Sequence, residues 1–257
     1  MTEQLSGIAA TAKELLESLD DSDSEAVARL TALLPNLQEA AEAGDIGAQN
    51  VLGGVLLELE GNPSEAALWF AHTASQGSLI GKRSLGTLYA SGAGVEKNLE
   101  KAEILFREAA EGNDPYAQFN LAQLWWGKRD PQAVLELLRS ASAGGVIDAY
   151  VVLGDLLGAL DRDTEALNAY LTAAEAGHDG AMFLAACWLR DGTAGTVDKV
   201  EALKWFFAML AAGNGDGIHE AIAMARGMTD NEIRQAGQRA GRPGDAEAMV
   251  GTVAKYR

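Results

Sequence analysis

The sequence predicts an all-α fold in which helical hairpins stack side by side as an α-solenoid. Apolar residues recur at the i, i+3, i+4 and i+7 spacing of a helix, as in the segments AALWFAHTAS and AEILFREAA. The chain has only five prolines among 257 residues and few runs of alternating β-branched residues. The third observation is an internal repeat, because glycines that follow an apolar helical stretch return every 32 to 36 residues.

Each predicted hairpin ends in small residues and a glycine, a pattern that suits the C-terminal cap of a helix. Glycine adopts a positive φ without steric strain, and helices commonly end on a residue in this left-handed conformation. The recurring glycines are Gly44, Gly77, Gly112, Gly145, Gly177 and Gly213. We therefore divide the central part of the chain into five units, each with a first and a second helix.

A small residue lies near the centre of each first helix, directly after a core leucine or alanine. In chain order these small residues are Gly53, Gly86, Ala122, Gly154 and Ala186. Because glycine inside a helix costs about 1 kcal/mol relative to alanine, its return in one register predicts that a neighbouring helix passes close by. The second helices supply a matching alanine followed four residues later by a large apolar residue: Ala66 and Phe70, Ala102 and Phe106, Ala133 and Leu137, Ala166 and Tyr170, Ala202 and Phe206. We expect the large side chains to pack against the small ones.

The segment GTLYASGAGVEKNLEKA, residues 86–102, contains a Gly-Ala-Gly break that fits either a phosphate-binding loop or a corner between helices. A corner is favoured: Gly92 is expected to end the first helix, Val95 to pack back on the hairpin, and Asn98 to cap the second helix. The nearby segment GSLIGK has three residues between its glycines where a P-loop has four, and Arg83 stands where Ser or Thr is required. No phosphate loop is therefore predicted.

The second unit, GSLIGKRSLGTLYASGAGVEKNLEKAEILFREAAEGN, resembles the Sel1-like repeat, a relative of the tetratricopeptide repeat. The residues that carry the resemblance are Leu85, Gly86, Tyr89, Gly92, Gly94, Val95, Asn98, Lys101, Ala102, Phe106, Ala109, Ala110 and Gly112. The fifth unit matches in its second half, through Glu201, Ala202, Trp205 and Phe206. The resemblance implies a right-handed α-solenoid of Sel1-like or tetratricopeptide-like repeats, similar to scaffolds that bind other proteins.

Three segments are predicted along the chain. Residues 1–43 are expected to form N-terminal capping helices, residues 44–213 five helical hairpin repeats, and residues 214–257 C-terminal capping helices. Polar capping at both ends is what a solenoid needs, because its terminal units have a neighbour on one side only. In the last segment Thr229 and Glu232 have the spacing of a capping box.

No catalytic, cofactor-binding or metal-binding site is predicted. The histidines His72, His178 and His219 lie far apart in the sequence and form no HExxH or i, i+4 pair. They are expected at solvated helix ends, and His178, which follows a helix C-terminus, is expected to favour the protonated form. The single cysteine, Cys187, allows neither an intrachain disulfide nor a thiolate zinc cluster, and a buried apolar role is favoured over a reactive one.

The formal net charge is −17, from 37 acidic and 20 basic residues. A surface this acidic repels nucleic acid and anionic lipid, so neither is predicted as a partner. No apolar run approaches the ~20 residues that cross a bilayer. The first residues lack the basic start and apolar core of a signal peptide, so a cytoplasmic location is expected.

A protein or peptide partner is expected on the first helices, which line the concave surface of stacked α-hairpins. By similarity to tetratricopeptide repeats, groove-facing positions lie two before, two after and five after the core leucine of each first helix. The partner-binding residues predicted from these positions are Asn50, Arg83, Thr87, Phe119, Gln123, Trp126, Val151, Asp155, Phe183 and Arg190. Trp126 is of most interest, because Trp125 already takes the packing position and an exposed tryptophan is a common interface anchor. For Phe119 and Phe183 the alternative is packing within the fold.

The sequence thus predicts a non-catalytic, bacterial-type cytoplasmic adaptor that holds a partner segment in its concave groove, as a monomer or weak homo-oligomer. One alternative is a self-assembling structural solenoid, because its acidic start and less acidic tail suit head-to-tail contact. A second alternative is a hydrolase, because some cysteine-rich Sel1-like proteins are associated with β-lactam binding or hydrolysis. The chain lacks the repeated cysteine pairs of those proteins, which disfavours this alternative.

Overall fold

The fold is taken from a computed structural model that describes residues 2–17 and 24–256. All regular structure in these residues is helical, and the predicted all-α solenoid class is confirmed. Contacts divide the chain into two compact units, Met1–Lys128 (the first unit) and Arg129–Arg257 (the second unit), each of which contains several of the predicted hairpins. The predicted three-segment division, with bounds after residues 43 and 213, stays a prediction, and residues 1 and 18–23 of its first segment lie outside the described part.

Seven helices lie in the described part of the first unit. They are α1 (Thr2–Glu17), α2 (Ser24–Glu42), α3 (Ile46–Glu58), α4 (Pro63–Ser75), α5 (Leu79–Ser91), α6 (Leu99–Glu111) and α7 (Pro115–Trp125). Each helix packs against the next one in the chain, and α1 also packs against α3. This up-and-down order places α1, α3 and α5 as first helices and α2, α4 and α6 as second helices.

The predicted close approach between the two helices of a hairpin is confirmed in the first unit. A Cβ atom on Gly53 would lie 2.7 Å from Cε1 of Phe70, and one on Gly86 would lie 2.8 Å from Cε1 of Phe106. Both phenylalanines are almost fully buried. The first helices therefore carry glycine at this register because an aromatic ring from the second helix occupies the space of a side chain.

Eight α-helices lie in the second unit as described to residue 256. They are α8 (Pro131–Ala143), α9 (Ile147–Ala159), α10 (Asp163–Glu175), α11 (Asp179–Asp191), α12 (Lys199–Ala211), α13 (Ile218–Ala225), α14 (Asp230–Arg239) and α15 (Pro243–Val253), followed by a 3₁₀ turn (Ala254–Tyr256). Helices α8 to α12 pack in succession, and α14 packs on both α12 and α15. At the start of α14, Thr229 and Glu232 form the predicted capping box.

The Gly-Ala-Gly segment is the predicted corner. Gly92 ends α5 with φ 82°, and the side chain of Asn98 accepts a hydrogen bond from the backbone N–H of Lys101 at the start of α6. Val95 packs against the core of the unit. Gly94 has φ 70°, and a Cβ atom there would overlap the backbone carbonyl of Pro63 in α4. The second glycine is thus required because the corner lies directly against the preceding hairpin.

The left-handed residue at each repeat end is confirmed at five of the six predicted glycines and is wrong at the sixth. Gly112 has φ −78°, and the next residue, Asn113, has φ 65°. Asparagine tolerates this conformation better than other non-glycine residues, so it replaces glycine here. In the second hairpin the left-handed positions are Gly77 and Asn113, and in the fifth they are Gly177 and Gly213. The spacing is 36 residues in both hairpins.

In the parts of the chain that the structure describes, no helix has both the length and the apolar character to span a bilayer.

Candidate partner-binding site

A cavity of about 420 Å³ opens on the first helices of the first unit, and we call it the α1–α3–α5 cavity. Leu16 of α1, Val51 of α3 and Ile80 of α5 line its sides, and Phe70 of α4 contributes to its lining from the second helix. Its volume lies in the range of ligand pockets, roughly 300–1,000 Å³. The lining is thus largely apolar and is drawn from four helices.

Small residues of α1 and α3 create this space. Ala10, Gly47 and Gly54 all line the cavity. A Cβ atom on Gly54 would lie 2.7 Å from Cδ2 of Leu16, so α1 lies close to α3 at this glycine. Ala10, Gly47 and Gly54 have at most a methyl group as side chain, so they leave space between the larger side chains of the lining.

The rim of the cavity carries both charges. Asp45 caps α3, with Oδ1 accepting a hydrogen bond from the backbone N–H of Ala48 at 2.7 Å. Lys13 and Glu17 form an i, i+4 ion pair at 3.6 Å, and both side chains are more than half exposed. Exposed pairs of this kind contribute about 0–1 kcal/mol to stability, and the two opposite charges offset each other at the rim.

Asn50, a predicted partner-binding residue, lies in the cavity wall and is only 8% exposed. Its Oδ1 accepts a hydrogen bond from Oγ1 of Thr73 at 2.8 Å, and its Nδ2 donates one to Oγ of Ser78 at 3.0 Å. Ser78 in turn caps α5 by accepting from the backbone N–H of Gly81. Asn50 therefore joins α3 to α4 and to the start of α5.

Arg83, the second predicted residue in the wall, makes the equivalent link one repeat later. Its Nη1 donates to Oδ1 of Asp114 at 3.1 Å, and its guanidinium lies 4.9 Å from the centre of the Tyr116 ring. Asp114 is buried and caps α7 through the backbone N–H of Ala117. These partners were not predicted from the sequence, although the cap-forming residue directly after each of Gly44, Gly77 and Asn113 was a usable signal.

The remaining predicted residues of the first unit lie outside the cavity lining. Thr87 and Gln123 are exposed, whereas Phe119 is 9% exposed, which favours its packing alternative. Trp126 is 37% exposed. Its expected place on the helix beside Trp125 is wrong, because α7 ends at Trp125 and Trp126 has an extended backbone, with φ −51° and ψ 125°.

Three of the predicted residues of the second unit are engaged in contacts within it. Asp155 accepts a hydrogen bond from the Tyr170 hydroxyl at 2.7 Å. Phe183 packs edge-on against Phe206 with ring centres 6.1 Å apart. Arg190 donates to both carboxylate oxygens of Asp191 and also pairs with Glu220, and its hydrogen bonds lower the pKa of Asp191.

The other predicted residue of this unit, Val151, is half-buried on α9. Phe183 also lines a separate cavity of about 350 Å³ together with Asp179, Asn214 and Asp216. The four predicted residues of this unit, Val151, Asp155, Phe183 and Arg190, remain candidates for partner contact.

His178 and Cys187 were considered as reactive side chains, and the structure shows what surrounds each of them. His178 caps α11, with Nδ1 accepting from the backbone N–H of Ala181 at 3.0 Å and Nε2 lying 3.3 Å from Oδ1 of Asp148. Cys187 is half-buried, and burial raises the pKa of its thiol. In residues 2–17 and 24–256 no group of three or more His, Cys, Asp or Glu side chains is placed to hold a metal ion.

Comparison with protein families supports the repeat assignment. Residues 82–114, 115–146 and 179–214 match the model described as the Sel1 repeat. These segments overlap the second, third and fifth units of the sequence analysis, so the predicted resemblance is confirmed. Sel1 repeats commonly form non-catalytic scaffolds for protein interaction.

Two solved structures have a similar fold. One is a protective antigen present in uropathogenic Escherichia coli strains, with an SLR fold, at a TM-score of 0.73 and 26% identity over 89% of this chain and 52% of that chain. The chain thus spans about half the length of that antigen. The other is a Sel1 repeat protein from Oxalobacter formigenes, at a TM-score of 0.62 and 22% identity over 86% of this chain and 95% of that chain.

Proposed function

Because the chain carries Sel1 repeats, we propose that it is a non-catalytic scaffold that binds a segment of a partner protein on its first helices. The observation that carries the proposal is the α1–α3–α5 cavity. Two of its helices, α3 and α5, are first helices on which partner contact was expected, and Asn50 and Arg83 lie in its wall. Burial of an apolar side chain in it would contribute about 25 cal/mol per Å² of apolar surface removed from water.

Asn50 and Arg83 support binding by holding the first helices in place. Each links its own helix to the cap of the next first helix, Asn50 through Ser78 and Arg83 through Asp114. A wall that is fixed before binding loses less conformational entropy when a partner docks. These two residues act as positioning residues in the proposal, and the apolar lining supplies the contact surface.

The other candidate residues lie outside the cavity, and those of the second unit are proposed as contacts of that unit by itself. Trp126 is the exposed aromatic among them and serves as an anchor for a second part of the partner. Thr87, Gln123, Val151, Asp155, Phe183 and Arg190 are kept as polar or apolar contacts, with Phe119 as a packing residue. In this proposal they adjust specificity more than affinity.

We place the scaffold in a reducing compartment such as the bacterial cytoplasm, where it acts as an adaptor and as a monomer or weak homo-oligomer. The support for this location is that the chain has a single cysteine, Cys187, which is a free thiol and cannot form an intrachain disulfide. A concave first-helix surface is the expected docking place.

The proposal is tested by capturing partners from the native cells with the purified full-length chain and with two variants. Ala10→Phe fills the cavity from an exposed position of α1, whereas Ala71→Phe adds the same ring at an exposed position of α4 outside the lining. A true partner is recovered by the wild type and by Ala71→Phe but is depleted with Ala10→Phe. Equal recovery of every protein by all three chains would contradict the proposal.

A further inference from the structure

We infer that the α1–α3–α5 cavity takes a cationic-apolar segment, that is, a peptide with one large apolar side chain next to a lysine or arginine. The inference rests on the proposed scaffold function and adds the chemistry of the partner. Its two parts, the apolar anchor and the positive charge, come from different observations.

The apolar anchor follows from the cavity lining. Leu16, Val51 and Phe70 all line the cavity, and Ile80, also in the lining, is 38% exposed. Asn50 has its amide oxygen and nitrogen engaged by Thr73 and Ser78. The apolar part of the lining therefore favours an apolar side chain over a polar one, because a polar group packed against it would lose its hydrogen bonds to water.

The positive charge follows from the ion pairs at the rim. The two cations in the lining already have carboxylate partners, since Arg83 pairs with Asp114 and Lys13 pairs with Glu17. In the part of the chain that the structure describes, Asp45 has no cation within ion-pair distance, and its Oδ1 accepts the cap hydrogen bond from the backbone N–H of Ala48. One carboxylate at the rim thus has a helix N-terminus but no cation as its partner, and it can form a charge-assisted hydrogen bond with an incoming lysine or arginine.

The charge of the surrounding sequence acts in the same direction. Residues 2–17 and 24–60 contain nine acidic and two basic residues, for a formal net charge of −7. A field of this sign raises the local concentration and association rate of a cationic segment and opposes an anionic one. The effect is screened over about 8 Å at physiological salt, so it guides encounter while Asp45 acts at contact.

The test is a selection from phage-displayed random peptides of about 12 residues on the immobilised full-length chain. Counter-selection uses Ala10→Phe, and thermal unfolding establishes that this variant is folded. The best recovered peptide is then synthesised and titrated into the wild type, Ala10→Phe and Asp45→Asn. Asparagine keeps the capping acceptor of Asp45 and removes its charge. The matched controls are Ala71→Phe and Asp198→Asn, which caps α12 in the same way outside the cavity.

We expect the recovered peptides to carry a large apolar residue within two positions of a lysine or arginine. Affinity falls about tenfold or more with Ala10→Phe and about threefold with Asp45→Asn, and stays within about twofold for both controls. Neutral or acidic peptides, or a peptide that Ala10→Phe binds as well as the wild type, would overturn the inference. Neither of these two results contradicts the scaffold function, which depends on the capture experiment.

A second copy of the chain is the competing occupant. Its C-terminal turn presents Lys255 beside Tyr256, which is 63% exposed. Light scattering of the wild type and of Ala10→Phe separates the two cases. Concentration-dependent dimers that are lost in Ala10→Phe would overturn the assignment to a separate partner, and a mass that is equal for both chains supports it.

Discussion

Nη1 of Arg83 lies 3.1 Å from Oδ1 of Asp114, so a side chain in the middle of α5 contacts the residue that caps α7. Asn50 and Ser78 repeat the relationship between α3 and α5, at 3.0 Å. In both cases the first residue lies two places before the core leucine of its helix and its partner begins the next first helix. Successive first helices of the first unit are therefore joined by side-chain hydrogen bonds as well as by apolar packing.

Substitution of Asp114 separates its two roles. Asp114→Ala removes both the cap of α7 and the partner of Arg83, and we expect it to lower the free energy of unfolding by about 2–4 kcal/mol. Asp114→Asn keeps the cap acceptor and is expected to cost about 1 kcal/mol. Urea unfolding measures both values. The control is Asp130→Ala, which removes an exposed cap of α8 alone; a loss as large as that of Asp114→Ala would contradict the role of the Arg83 link.

Gly94 tests the contact between the corner and the preceding hairpin. Gly94→Ala places a methyl group against the Pro63 backbone, and we expect a loss of about 3 kcal/mol or more in unfolding free energy. Gly127 has nearly the same φ, 69° against 70°, but open space around its Cβ position. Gly127→Ala should therefore cost only about 1 kcal/mol, from φ alone. Equal losses in thermal or urea unfolding would mean that backbone conformation, and not the contact, fixes Gly94.

Gly86 and Phe106 test the packing inside a hairpin. Gly86→Ala improves helix propensity by about 1 kcal/mol, yet its methyl group would meet the Phe106 ring, so we expect a net loss of about 1–2 kcal/mol. Phe106→Leu alone leaves a cavity and is also destabilising. The double variant should be more stable than the sum of the two losses predicts, because the smaller leucine makes room for the methyl group. Strict additivity in urea unfolding would contradict the assigned contact.

Cys187 provides a test of burial through pH. Burial raises the pKa of the thiol, with Arg190 opposing the shift, so less thiolate is present at a given pH than in an unfolded chain. Because the thiolate is the reactive form, alkylation by iodoacetamide near pH 8.5 should be about tenfold slower in the folded chain than in urea. The stability linked to the neutral thiol is present below its ordinary pKa and is lost as the pH rises through the folded pKa. Equal alkylation rates in the two states would show that Cys187 is exposed.

The local features of the fold could be read from the sequence because they depend on neighbouring residues. Gly92, Asn98 and the Thr229–Glu232 box all behave as their spacing predicts. The prediction failed by one place at Gly112, because an asparagine next to a glycine gives two candidates for one left-handed position. A φ value, and not the residue type, decides between them.

The candidate site was predictable only in part, because it depends on contacts between distant residues. The repeat register placed Asn50 and Arg83 on the first helices, but their partners lie 28 and 31 residues further along. The cavity itself depends on how α1 lies against Gly54 through Leu16, and no spacing rule specifies that contact. Likewise, the end of α7 at Trp125 decides where Trp126 points, and the sequence pattern continued the helix past it.

The most direct test of partner binding in the cavity is site-specific photocrosslinking in the native cells. A photoreactive amino acid, p-benzoylphenylalanine, replaces Ser84 in the cavity lining or, in the control chain, the exposed Ala71 of α4. The account predicts that position 84 gives a discrete cross-linked partner, whose yield falls about tenfold when Ala10→Phe is added. The same partner cross-linked equally from position 71, or a yield unchanged by Ala10→Phe, would contradict binding in the α1–α3–α5 cavity.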